Sequence, residues 1–347
     1  MPAPSDTLAA SRTPSATSPS AADGGWQREL ADAVRDPAEL CHLLGLDPAI
    51  AAEARRAAGG FPLLVPRGFV SRMKPGDPRD PLLLQVLPRA TERAAVPGFS
   101  ADPLAERQAL AAPGLVRKYA GRALLLAAGG CAINCRYCFR REFPYADSGV
   151  STAGIAAAVA AVAADDTLHE VILSGGDPLL LDDDRLAELV HRLEAIPHVQ
   201  RLRIHSRLPI VLPSRVTGGL TASLARTRLA CVVVVHANHP AELDDSVAAA
   251  IERLAAARPI LLNQSVLLAG VNDSTNVLAR LSERLVALRV VPYYLHLLDR
   301  VQGTAAFDVD EATARALHAG LRDTLPGYAV PRLAREVPGE PAKVWLG

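Results

Sequence analysis

The chain has 347 residues, half of them hydrophobic, which is enough for one large domain with a smaller appendage. Lysine plus arginine and aspartate plus glutamate both number 37, so the formal net charge is zero. This balance disfavours nucleic-acid binding or a membrane-surface role driven by bulk charge. No apolar run reaches the roughly 18–20 residues that a bilayer crossing needs. We therefore expect a cytoplasmic protein whose partners are neither nucleic acids nor membranes.

The first part of the chain divides into two segments. Residues 1–25 are rich in Ala, Ser and Pro and lack the charged start and apolar core of a secretory signal, so they are predicted to form a disordered tail. Residues 26–113 contain short stretches of helical spacing that are broken by prolines and glycines. They are predicted to form a mainly helical N-terminal region.

The rhythm changes over residues 114–335, where six short β-type runs alternate with helix-like segments. The runs cover residues 122–130, 170–176, 201–207, 230–238, 260–270 and 289–299. Such alternation predicts an α/β fold with parallel strands and helical crossovers. Because polar or glycine-rich residues follow every strand, we favour an incomplete (β/α)6 barrel with one functional rim over a doubly wound sheet. Residues 336–347 are predicted to form a separate C-terminal segment.

Three of the five cysteines form the pattern Cys-x3-Cys-x2-Cys directly after the first of these strands, at Cys131, Cys135 and Cys138. Structural zinc takes four protein ligands, and electron-carrying iron–sulfur cubes give each iron a cysteine. Three cysteines leave one iron open to chelate the amino and carboxylate groups of S-adenosylmethionine. The pattern resembles that of radical S-adenosylmethionine (radical SAM) enzymes and predicts a [4Fe-4S] cluster. A zinc site completed by a distant histidine and chance clustering are the alternatives.

The second strand ends in the sequence SGGDP, which contains Ser174, Gly175, Gly176 and Asp177. Glycines allow the backbone to approach a ligand closely, and an aspartate can accept hydrogen bonds from an ammonium group. The stretch resembles the motif that holds the methionine amino group in radical SAM enzymes. Taken alone, it is equally typical of an ordinary turn.

Six ordered motifs resemble those of the lysine 2,3-aminomutase family over about residues 114–343. They are CAINCRYCFRREFPY, VILSGGDPL, RIHSRLPIVLPSRVT, HANHPAEL, NQSVLLAGVND and PYYLHLLD. The resemblance implies a radical SAM barrel and an isomerase that converts L-lysine to β-lysine. It also implies three cofactors, namely the cluster, S-adenosylmethionine and pyridoxal phosphate, which together support radical migration of the amino group.

The same resemblance implies roles for residues that bind the cofactors. Only three of the basic residues are lysines, and Lys343 in GEPAK matches the family's lysine that anchors pyridoxal phosphate as a Schiff base. An exposed lysine near the chain end is the alternative for Lys343. The cofactor phosphate is assigned to Lys118 and Arg122, with Ser206 and Arg207 as further candidates. S-adenosylmethionine and the cavity wall are assigned to His236, Asn238 and Gln264.

Substrate recognition requires a cation for the carboxylate of lysine and anions for its ε-ammonium group. By resemblance, Arg140 would bind the carboxylate with bidentate geometry. Asp299 and Glu336 would bind the ammonium group, although the family's fermentative members usually have aspartate at the second position. The longer arm of Glu336 leaves the exact substrate open.

The short form with CFRREFPY and GEPAK is more similar to the branch that supplies (R)-β-lysine for modification of elongation factor P. This implies a functional link to a β-lysine ligase and to that factor, together with a reductant for the cluster, while a homo-oligomer is left open. A mutase for another amino acid such as glutamate and a radical SAM enzyme without pyridoxal phosphate are the alternative functions. An iron–sulfur electron carrier or a zinc-stabilised binding module is the alternative outside those classes.

Overall fold

One ten-stranded sheet forms the framework of the molecule, and its strands are neighbours in the same order as in the sequence. The computed structural model describes residues 25–347. The tail predicted over residues 1–25 therefore lies outside the described residues, except for Gly25, which begins the first helix. Within the described part of the chain, no helix combines the length and the apolar character that a membrane crossing requires.

The strands are β1 Leu110–Ala112, β2 Leu115–Tyr119, β3 Arg122–Ala128, β4 Glu170–Gly175, β5 Arg201–Ser206, β6 Ala230–Val235, β7 Ile260–Val266, β8 Val291–His296, β9 Arg332–Arg335 and β10 Val344–Trp345. The helices are α1 Gly25–Ala31, α2 Pro37–Leu43, α3 Pro48–Ala57, α4 Arg67–Val70, α5 Pro81–Leu84, α6 Thr152–Ala163, α7 Asp183–Glu194, α8 Leu208–Val211, α9 Gly218–Arg226, α10 Asp245–Ala256, α11 Thr275–Ala287 and α12 Glu311–Thr324.

The six predicted strands are β3 to β8, and they pair in parallel with their sequence neighbours. A doubly wound sheet would reverse its strand order at a switch point, and this sheet does not. The α/β incomplete barrel is therefore confirmed. A seventh parallel strand, β9, follows α12 and pairs with β8. Its sequence RLAR has two adjacent apolar residues between two arginines and covers only four positions, so it lacks the alternation and the length of a clear strand signal.

The crossover helices bury one apolar face against the sheet. In α7, the buried side chains are Leu186, Leu189, Val190 and Leu193, which recur at intervals of three and four residues. The carboxylate of Asp182 caps the helix by accepting a hydrogen bond from the backbone N–H of Arg185. Each helix of this kind covers the sheet and leaves its polar face to solvent.

The N-terminal region is built from short helices that begin at Asp-Pro pairs. Asp36, Asp47 and Asp80 each cap a helix whose first residue is proline, which needs no backbone hydrogen bond at that position. The proline-rich stretch of residues 61–88 contains the single-turn helices α4 and α5. Prolines limit their length without preventing their first turn.

Antiparallel strands extend both edges of the parallel sheet. On one edge, β1 and β2 form a hairpin that joins β3, so the sheet begins before residue 114, inside the region predicted to be helical. On the other edge, β10 pairs with β9, with Val344 opposite Arg335. The C-terminal segment is thus part of the sheet. The antiparallel pairing of β9 with β10 also places Glu336 beside Lys343, although seven positions separate them in the sequence.

Candidate active site

A cavity of about 460 Å³ lies within the open barrel. Strands β2 to β5, β7 and β8, the loop after β6 and the C-terminal segment contribute to its wall. All the site residues predicted from the sequence line it except Ser206. These are Lys118, Arg122, Cys131, Cys135, Cys138, Arg140, Ser174, Gly175, Gly176, Asp177, Arg207, His236, Asn238, Gln264, Asp299, Glu336 and Lys343. Tertiary structure therefore gathers residues from eight separate stretches of the sequence at one place.

The three cysteines lie on the loop that follows β3, and none of them forms a disulfide. The N-terminal region holds this loop by its backbone. The N–H of Asn134 donates to Leu64 O at 2.9 Å, and the N–H of Arg136 donates to Gln85 O at 2.8 Å. Three free thiols that face one cavity fit an iron–sulfur cluster with an open corner.

The glycines of SGGDP serve close packing against the cysteine loop. Gly175 has φ +118°, a value that favours glycine, and a Cβ on it would overlap Ala128 O. A Cβ on Gly176 would overlap Gly130 O. The cysteine loop and the end of β4 are therefore in direct backbone contact, which fixes the position of the thiols.

Asp177 has different partners from those expected, because its carboxylate binds the end of β5. It accepts from Ser206 Oγ at 2.7 Å and from the backbone N–H of Arg207 at 2.7 Å, and also from the N–H groups of Leu179 and Leu208. Burial raises the pKa of Asp177 to about 6. With four donors already in place, Asp177 joins two strand ends, and a bound ammonium would have to displace one of them.

The structure also places Ser206 and Arg207 differently from their predicted phosphate role. The hydroxyl of Ser206 is turned to Asp177 and does not line the cavity. The guanidinium of Arg207 donates to Cys135 Sγ at 2.6 Å and to Gln85 Oε1 at 2.7 Å, and it pairs with buried Glu242. The sequence paired the two residues because a hydroxyl and a guanidinium commonly bind an anion together. In the structure Ser206 ends β5 and Arg207 follows it, and their side chains bind different partners.

Asn238 and Gln264 both line the cavity, and Asn238 contacts the cysteine loop. The side-chain amide of Asn238 donates to Tyr137 Oη at 2.6 Å, and its oxygen accepts from the N–H of Val266 at 2.9 Å. Gln264 Nε2 lies 3.0 Å from Nε2 of His236, and burial lowers the pKa of His236 to about 3. A neutral His236 and two amides suit a polar, uncharged contact with a nucleoside or an amino-acid group.

Lys343 faces the cavity and is not part of a frayed tail. Its Nζ lies 2.6 Å from Glu336 Oε2 and 5.8 Å from the centre of the Tyr294 ring, and its side chain is 24% exposed. On the same side, Lys118 pairs with the other oxygen of Glu336 at 2.7 Å. Burial opposes ionisation of Glu336, but the ammonium groups of Lys343 and Lys118 outweigh it and lower its pKa to about 2.

The same part of the cavity fits pyridoxal phosphate. The Arg122 guanidinium stacks on the Tyr119 ring at 4.6 Å and is paired with no carboxylate among residues 25–347, which leaves it available to a phosphate. Nearby, Nε2 of His205 is buried and has no hydrogen-bond partner within the described residues. A buried polar atom without a partner is costly, so it indicates a position for a ligand atom.

Arg140 holds an internal carboxylate that the sequence analysis missed. Its Nε donates to Glu106 Oε2 at 2.6 Å, and its Nη2 donates to Glu106 Oε1 at 2.9 Å. The bidentate face expected to bind a substrate is therefore already in use. Glu106 lies in a loop without helical or strand periodicity, DPLAERQ, and no motif marked it.

Asp299 follows β8, and its pKa is shifted in the opposite direction from that of Glu336. Burial and the negative charge of Glu336 raise its pKa to about 7, although Lys343 and Lys118 act in the other direction. The two carboxylates and the amine of Lys343 all line the cavity. This end of the cavity can therefore accept an additional cation, which would favour the ionised form of Asp299.

Comparisons with known proteins agree with this chemistry. The sequence pattern of the radical SAM superfamily matches residues 126–278, a range that contains all three cysteines. The chain is 50% identical over 322 residues to an L-lysine 2,3-aminomutase of Escherichia coli (strain K12), which covers 92% of this chain and 94% of that relative.

Two further relatives bear the same name. The chain is 46% identical to an L-lysine 2,3-aminomutase of Haemophilus influenzae, over 92% of this chain and 94% of that relative. It is 37% identical to an L-lysine 2,3-aminomutase of Clostridium subterminale, over 78% of this chain and 65% of that relative.

Proposed function

The chain belongs to the L-lysine 2,3-aminomutase family, and we propose from this premise that it converts L-lysine to β-lysine by moving the α-amino group to the neighbouring carbon. The observation that carries the proposal is the shared cavity. Three free thiols line one part of it, and the amine of Lys343 lines another. A mutase that couples radical chemistry to an aldehyde cofactor needs both groups in one space.

The family's cofactors are a [4Fe-4S] cluster, S-adenosylmethionine and pyridoxal phosphate. In this chain Cys131, Cys135 and Cys138 would hold the cluster, and Lys343 would hold pyridoxal phosphate. When bound, these groups supply a radical that abstracts hydrogen and a conjugated ring through which nitrogen can migrate. Lys118 and Arg122 would bind the cofactor phosphate.

The charges of the cavity favour lysine as substrate. Arg140 would bind the α-carboxylate with a donor that Glu106 leaves free. Asp299 and Glu336 would bind the ε-ammonium group, which is charged at neutral pH. A substrate with an acidic side chain, such as glutamate, would place like charges together at this end of the cavity, which is unfavourable.

We further propose that the product is (R)-β-lysine, which a β-lysine ligase attaches to elongation factor P. The short-form motifs CFRREFPY and GEPAK support this branch. The higher identity to the Escherichia coli and Haemophilus influenzae relatives than to the Clostridium subterminale relative is consistent with it. The cluster also requires a one-electron reductant.

The test is an anaerobic assay of the reconstituted protein with S-adenosylmethionine, pyridoxal phosphate, dithionite and L-lysine. The expected product is β-lysine of R configuration, and glutamate should give no β-amino acid. Absence of β-lysine from a preparation with full iron and pyridoxal phosphate content would contradict the proposal.

Substitution of the lysines gives a matched pair of variants. Lys343→Ala should abolish β-lysine formation and the cofactor's absorbance band, because it removes the only amine expected to anchor pyridoxal phosphate. Lys74→Ala should leave both unchanged, because the Lys74 side chain is 74% exposed, pairs with Asp77 and does not line the cavity. An absorbance band that persists in Lys343→Ala and is lost in Lys74→Ala would reverse the assignment.

A further inference from the structure

Five charged side chains of alternating sign form an unbroken series along the cavity wall. In order they are Arg140, Glu106, Lys118, Glu336 and Lys343. The closest nitrogen–oxygen distances between successive members are 2.6, 3.1, 2.7 and 2.6 Å. The first, third and fifth members are the cations proposed to bind the substrate carboxylate, the cofactor phosphate and the cofactor aldehyde.

Glu106 connects the first two of these cations and is 3% exposed. One of its oxygens accepts from Arg140 and the other lies within reach of both Arg140 and Lys118. Burial opposes its ionisation, yet the two cations lower its pKa below the ordinary value. The backbone N–H of Glu106 donates to Asp102 Oδ1 at 3.0 Å, which fixes the turn that carries it.

The contacts of Arg140 show what Glu106 does to the guanidinium. An arginine has five N–H donors. Two of them bind Glu106, and Nη1 donates to Ser174 Oγ and to Gly175 O, each at 3.0 Å. One N–H of Nη2 is left for a substrate. Lys118 has three donors, of which Glu106 and Glu336 occupy two.

We propose that Glu106 is a positioning residue that acts through Arg140 and Lys118, and that it supports binding of the substrate carboxylate and of the cofactor phosphate together. This inference rests on the proposed function. Glu106 restrains both cations, so each presents its remaining donor to the cavity. Carboxylate recognition by Arg140 is then monodentate, in contrast to the bidentate contact expected from the sequence.

The test compares ligands that differ only in the group concerned, using the full-length Glu106→Gln variant. Cadaverine is lysine without its carboxylate, and pyridoxal is pyridoxal phosphate without its phosphate. The variant should raise the KM for L-lysine roughly tenfold or more, because a charge-assisted contact is weakened. The inhibition constant of cadaverine should change less than twofold. The dissociation constant of pyridoxal phosphate, measured by absorbance, should rise while that of pyridoxal is unchanged.

Two further variants make the result decisive. Glu106→Asp restores the charge with a shorter arm, so it should recover part of the KM for L-lysine and part of the affinity for pyridoxal phosphate. If the glutamine variant does not fold, the aspartate variant is compared with the wild type instead. Asp183→Asn breaks an acid–arginine pair with Arg215 outside the cavity. It should alter neither the preference for lysine over cadaverine nor that for pyridoxal phosphate over pyridoxal. Equal changes for lysine and cadaverine, or for pyridoxal phosphate and pyridoxal, would overturn the proposal. Failure of the wild-type protein to form β-lysine would instead overturn the proposed function, because the absorbance titrations do not require turnover.

Discussion

At the scale of single residues, two carboxylates on the same cavity wall have opposite electrostatic settings. Glu336 lies between two ammonium groups, and its pKa is lowered to about 2. Asp299 is buried beside the negative charge of Glu336, and its pKa is raised to about 7. Glu336 is thus a permanent anion near neutral pH, whereas Asp299 gains or loses its charge there.

The raised pKa of Asp299 predicts a pH dependence of lysine recognition. Because only the ionised carboxylate attracts an ammonium group, kcat/KM for L-lysine should rise by up to roughly tenfold per pH unit below pH 7 and level off above it. Asp299→Asn should lower kcat/KM at pH 8 and flatten this limb of the profile. The measurement is the initial rate between pH 5.5 and 8.5, and an unchanged profile in the variant would contradict the assignment.

The raised pKa of Asp299 also predicts that the stability of the folded protein depends on pH. The carboxyl of Asp299 has a pKa near 3.8 in the unfolded chain and about 7 in the folded one, so the folded state binds more protons between these values. The destabilisation caused by burying this group is absent below about pH 4 and is fully present above about pH 7. In the protein without added cofactors, Asp299→Asn should raise the melting temperature at pH 8 more than at pH 5. An equal change at both values would contradict it.

At the scale of elements, the end of β4 and the cysteine loop form one packed unit. Gly175 and Gly176 contact the backbone of residues 128–130, and Asp177 binds the end of β5. The strand end therefore sets where the loop begins, and hence where the thiols lie. The glycines are needed for this contact between backbones rather than only for approach to a ligand.

Gly176→Ala should separate this packed unit, because the added methyl group would overlap Gly130 O. We expect fewer irons per chain after reconstitution and a lower melting temperature. Gly218→Ala is the matched control, because a Cβ at the start of α9 would meet nothing within 4 Å. Equal iron content in the two variants would show that the close approach is dispensable.

At the scale of the whole molecule, the N-terminal helical region holds the cysteine loop against the barrel. Arg136 lies between two of the cysteines and is completely buried. It stacks over the Phe61 ring at 4.9 Å and pairs with Glu92, which also binds Arg141 at 2.9 Å. Residues outside the barrel therefore determine the conformation of the loop.

Removal of the charge of Glu92 should weaken the attachment of the cysteine loop to the N-terminal region. Glu92→Gln leaves the buried guanidinium of Arg136 without its anion and leaves Arg141 with the more distant Glu142. We expect a loss of about 3–5 kcal/mol in the free energy of unfolding. Glu311→Gln should cost much less, because solvent screens its partly exposed pairs with Arg315 and Arg335. Urea denaturation measures the free energy of unfolding of both variants. A similar small loss in the two would show that Glu92 does not stabilise the attachment of the cysteine loop.

The sequence by itself determined the six central parallel strands and the cysteine triad and, through its resemblance to a known family, most of the predicted cavity residues. Those features depend on local periodicity and on motif spacing, which the chain carries in its residue order. Only the tertiary structure decided which side chains touch. In the folded protein Arg207 contacts Cys135, and Asp177 binds the end of β5. Glu106 pairs with Arg140, and Glu336 pairs with Lys343. Contacts of this kind join residues that are distant in sequence or lie across a hairpin, and they depend on side-chain direction and burial, which no local pattern records.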